Sequence, residues 1–212
     1  MTALLETVRN LTPTKILESS WLPPYEDMTE QFATFERDYH IAMLAIHTGG
    51  LDEARRTIGA MEQSGPFPGL GELHEETLTA LRAELLLRHG DEAGALEELR
   101  TIDYEIPHAI SVRSMADGTR SRFLRAELER TIGDSETARG FYLGLDQSWS
   151  WWDTGYRPQV YWGLAKIAEK QGRIADARLA YTRLLALWKD ADDVNRERFE
   201  EARAALESLP NR

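Results

Sequence analysis

The chain has no cysteine. That excludes disulfides, thiolate metal sites and cysteine nucleophiles, and it fits a reducing, cytoplasmic compartment. Long apolar runs are also missing: no segment nears the roughly 18 residues of a membrane span, so no membrane insertion is expected. The first residues, Met-Thr-Ala-Leu-Leu-Glu, have no basic start and carry Glu6 inside their apolar stretch, which is not the pattern of a signal peptide. Basic charge is scarce as well. Lys and Arg number 25 against 36 Asp and Glu, a formal net charge of −11. Nucleic-acid binding needs a basic surface to meet phosphates, so none is expected. Arg120, Arg122, Arg125 and Arg130 do gather, but Glu127 and Glu129 interrupt them, as on a solvated helix face.

Chemistry-bearing motifs are sparse. Five histidines, at 40, 47, 74, 89 and 108, form no compact ligand set. His40 and His47 share a helix face with no obvious acidic partner. There is no Gly-x-Ser-x-Gly, phosphate loop or dinucleotide fingerprint. No metal, cofactor or catalytic residue is therefore expected, and the chain reads as a non-enzyme.

What remains is a helix-forming composition, rich in Ala, Leu, Glu and Arg, with an internal repeat. Residues 81–95 and 124–138 match at eight of fifteen positions without a gap. Gly90 and Gly133 align between them, and the same frame fits at Gly49 and Gly172, giving spacings of 41, 43 and 39 residues. Seven residues before each glycine stands Ala42, Ala83, Ala126 or Ala165, and five after stands Ala54, Ala95, Ala138 or Ala177. Nine after stands Ile58, Leu99, Tyr142 or Tyr181, and twelve after stands Met61, Ile102, Leu145 or Leu184.

Each glycine lies between two apolar-periodic stretches. A left-handed residue there ends one helix and allows a tight turn. Asp52, Asp91 and Asp134 follow at expected helix starts, where free N–H groups favour a carboxylate. Alanines at fixed offsets suit close helix approach. Each unit is thus a helical hairpin that needs a neighbour to cover its faces.

This combination resembles the tetratricopeptide repeat family. The fourth copy carries Tyr161, Leu164, Ala165, Ala168, Gly172, Ala177 and Tyr181 on the family's signature positions. Arg82 and Arg125 depart from it, standing where the family usually has an apolar residue, and the period exceeds the family's usual 34 or so. Residues 161–207 are also similar to the C-terminal repeats of long bacterial repeat proteins, some of them fused to Ser/Thr kinases. No kinase motif is present here.

The resemblance covers about residues 30–190 and implies an all-α fold, an α-solenoid of about four hairpins. One domain is expected over 1–212, with a lead-in at 1–24, hairpins at about 28–63, 72–103, 119–146 and 158–189, and a capping helix at about 193–208. In the family the inner groove is lined by the first helix of each hairpin. Carried over, that implies Tyr39 and Met43, Glu84 and Arg88, Phe123, Glu127 and Arg130, and Trp162, Lys166 and Lys170. Mixed aromatics and charges of both signs suit a peptide or partner helix.

Trp149, Trp151 and Trp152 crowd the segment before the fourth hairpin. Two readings stand: core packing under a long connection, or a partner anchor. The expected function is a non-catalytic scaffold that binds another protein or peptide. The alternative is a structural subunit, self-associating or docked in a larger assembly through the Trp-rich segment or the N-terminal helices.

Overall fold

The computed structural model describes residues 2–12, 30–66, 71–104, 118–148, 150–189 and 193–210. Most of the expected lead-in, the break at 67–70, most of the linker around Pro107, and Trp149 lie outside these residues. The described residues are all-helical, with eleven helices and no strand. No described helix is long and apolar enough to cross a membrane.

The helices are α1 (Thr2–Arg9), α2 (Glu30–Thr48), α3 (Leu51–Ser64), α4 (Gly71–Arg88), α5 (Glu92–Arg100), α6 (Thr119–Ile132), α7 (Ser135–Gln147), α8 (Trp151–Thr154), α9 (Arg157–Lys170), α10 (Ile174–Leu187) and α11 (Asp193–Ser208). They fall into two compact units, 1–118 and 119–212. The first holds α1–α5 and the second α6–α11.

Four helix pairs turn at the repeated glycines, and three of the turns share one chemistry. Gly49, Gly90 and Gly172 have φ of 85°, 80° and 68°. The residue after each donates its N–H five residues back: Gly50 to Ala45 O at 2.8 Å, Asp91 to Leu86 O at 3.0 Å, and Arg173 to Ala168 O at 2.8 Å. This is the bond pattern that a left-handed residue after a helix permits.

The third turn differs from the expectation. Gly133 is not among the described glycines with positive φ. Its own N–H reaches Leu128 O at 3.2 Å, one residue early. The N–H of Asp134 is taken by a side chain instead, Glu129 Oε2 at 2.9 Å. Glu129 is buried. A carboxylate thus does at this turn what a backbone carbonyl does at the others.

The acids after the glycines also divide. Asp91 caps α5 by accepting from Gly94 N at 2.9 Å. Asp134 caps α7, accepting from Thr137 N at 2.8 Å. Asp52 is not a cap: Gly50 holds that position, and Asp52 sits in the first turn beside Arg55.

All eight alanines of the repeat are fully buried, each 0% exposed. They let paired helices approach closely, and the large residues at the later offsets fill the space between. Tyr142, Tyr181, Leu99 and Leu184 are likewise fully buried. Each such side chain contributes about 1.5–3 kcal/mol relative to exposure.

In the first unit the core gathers Phe32, Phe35, Ile46, Met61, Leu78 and Leu81. Buried His74 joins it, stacked on Phe35 at 4.9 Å with Nε2 3.2 Å from Met61 O. In the second unit α11 closes the stack on α10, with Ala202 and Leu209 buried against Tyr181, Leu184 and Trp188.

Candidate interaction surface

Two tyrosines organise the second unit. Tyr142 rises from α7 between α6 and α9. Its ring lies on Gly163, where an added Cβ would stand 2.4 Å from Tyr142 Cζ. Its hydroxyl donates to Glu127 Oε1 on α6, and Arg130 holds the other oxygen of that carboxylate at 2.7 Å. Tyr181 plays the same part from α10. It packs on buried Ala202 of α11 and donates to Glu169 Oε2 at 2.7 Å.

Burial raises the pKa of both hydroxyls, and the neighbouring carboxylates raise it further. Both tyrosines therefore stay neutral donors throughout the physiological range. Buried rings lock the helix spacing from below, and their polar tips order the face above.

That face carries the implied residues of the second unit. Phe123 is half-buried, packed 4.8 Å from Tyr156 and 6.4 Å from Tyr142. Glu127 and Arg130 form the pair just described. Trp162 is half-buried and meets Tyr181 edge-on at 6.0 Å. Lys166 Nζ sits 4.4 Å above the Trp162 ring, an attractive cation–π distance. The same ammonium lies 3.6 Å from Glu169 and 3.9 Å from Glu201, which links α9 to α11. Lys170 is exposed at the end of α9. Phe123, Glu127, Arg130, Trp162 and Lys166 thus stand on neighbouring helices, each held by named partners.

The implied residues of the first unit are placed differently. Tyr39 and Met43 are half-buried against the core. Glu84 is buried, 4% exposed, and presents almost nothing to solvent. Arg88 is exposed and reaches across to α2, with Nη2 2.6 Å from His47 Nδ1. A matching contact joins Arg55 to His89 Nε2, whose ring is oriented by Nδ1 on Leu85 O at 2.7 Å. Nearby His40 has its pKa lowered by burial, opposed by the charge of Glu36.

Residues of the Trp-rich segment take unequal roles. Trp152 on α8 is 44% exposed. The neighbouring Asp153 is 1% exposed and fixes the segment to α6. It accepts from Thr119 Oγ1 and pairs with Arg122 Nη2 at 2.9 and 3.2 Å. No motif marks Asp153 in the sequence, where it is one acid beside three tryptophans.

No three-residue His/Asp/Glu cluster among the described residues is arranged to hold a metal ion. Comparison with known proteins gives no match: no family model, no curated protein and no solved structure matches this chain.

Proposed function

We propose that this chain is a non-catalytic interaction scaffold of tetratricopeptide-like hairpins, and that it captures a peptide or partner helix in a concave groove lined by the first helices of its hairpins. One observation carries the reading. Trp162, Lys166, Phe123, Glu127 and Arg130 lie half-exposed on adjacent helices and are immobilised by neighbours such as Tyr142, Tyr181 and Glu169. Fixed aromatic and charged groups lose little entropy on binding, which is the usual condition for a hot spot. Tyr39 and Met43 supply the corresponding surface of the first unit.

The test is capture from native lysate by the wild-type chain and by a Tyr39→Ala/Phe123→Ala/Trp162→Ala variant, with circular dichroism to verify folding. Loss of the captured partner with an intact helical spectrum supports the groove. Capture undiminished by the three substitutions sinks it.

A second reading, as a structural subunit, is favoured by exposed apolar residues outside the groove. Leu4 on α1 is 54% exposed and Trp152 on α8 44%. Light scattering separates the two: an oligomer dispersed by Leu4→Lys or Trp152→Lys supports the subunit, and a monomer at high concentration argues for capture of another protein.

A further inference from the structure

We draw no further inference here: the strongest candidate, the apolar outer face of α10 where Leu179 and Leu187 are half exposed beside a cleft against α7 and α9, carries nothing, because each arginine of that cleft is already paired with an acid there and nothing in the structure shows what covers the face.

Discussion

Replacing Gly163 with alanine tests the central joint of the second unit. Glycine inside a helix costs about 1 kcal/mol relative to alanine, so α9 on its own would gain that much. The packing opposes it. The new Cβ would stand 2.4 Å from Tyr142 Cζ and 2.6 Å from its hydroxyl oxygen. Carbon contacts settle near 3.5 Å, so the ring must retreat by about 1 Å. Tyr142 is 0% exposed and has nowhere open to go. Overpacking of this kind costs about 1–3 kcal/mol. If the hydroxyl leaves Glu127 as well, a hydrogen bond to a charged group is lost, about 1.5–3 kcal/mol more.

The expected net is a loss of up to about 2 kcal/mol from packing alone, and of about 1.5–5 kcal/mol where the hydrogen bond to Glu127 also breaks. Urea denaturation followed by tryptophan fluorescence reads it, because five of the six tryptophans lie within 119–212. Gly140→Ala and Gly144→Ala on α7 are the controls. Neither meets anything within 4 Å, and each should gain up to about 1 kcal/mol. In a Tyr142→Leu background the Gly163→Ala loss should vanish or reverse. Two results refute the reasoning: Gly163→Ala stabilising the wild-type chain as the controls do, or the same loss appearing with and without the Tyr142 ring.

The Trp-rich segment should owe more stability to its acid than to Trp152. Asp153→Ala removes the buried acid that accepts from Thr119 and pairs with half-buried Arg122 and should cost about 1.5–3 kcal/mol, whereas half-exposed Trp152→Ala should cost about 1 kcal/mol or less; urea midpoints compare them directly. The first unit should weaken in mild acid through His40. Burial holds its folded pKa below the ordinary 6.5, so the unfolded chain takes up the proton first, and stability is full above about 6.5 and falls as pH drops below it. Melting curves between neutral and mildly acidic pH should show that slope, and His40→Gln should flatten it. A slope unchanged by His40→Gln would assign it to other groups.

Much of the helical order is written locally. Gly49, Gly90 and Gly172 mark their turns because a left-handed residue after a helix favours glycine. Buried alanines recur at fixed offsets because paired helices touch at fixed offsets, and Asp91 and Asp134 announce their helices because a cap acts within one turn. Local rules stop where a long-range partner can substitute. Gly133 keeps the spacing of the others, yet Glu129 closes that turn with its side chain. Asp52 stands two residues past the place that Asp91 and Asp134 hold after their glycines, so Gly50 takes the cap position and Asp52 falls in the first turn.

The surfaces were legible only in part. Family spacing pointed to Phe123, Trp162 and Lys166, and they do stand on neighbouring helices. It also pointed to Glu84, which is buried. Nothing in the sequence distinguished Asp153 from any acid beside aromatics, since its partners Arg122 and Thr119 lie about thirty residues away. Nor did it single out α10, whose leucines alternate between core and solvent with nothing local to separate them.

Sequence by itself determined the helices and most of their turns, because backbone hydrogen bonds, caps and glycine conformations act over a few residues. Tertiary structure alone decided which acid is buried, which leucine is bare and why Gly163 cannot carry a side chain. Those outcomes depend on which distant atoms arrive at the same place.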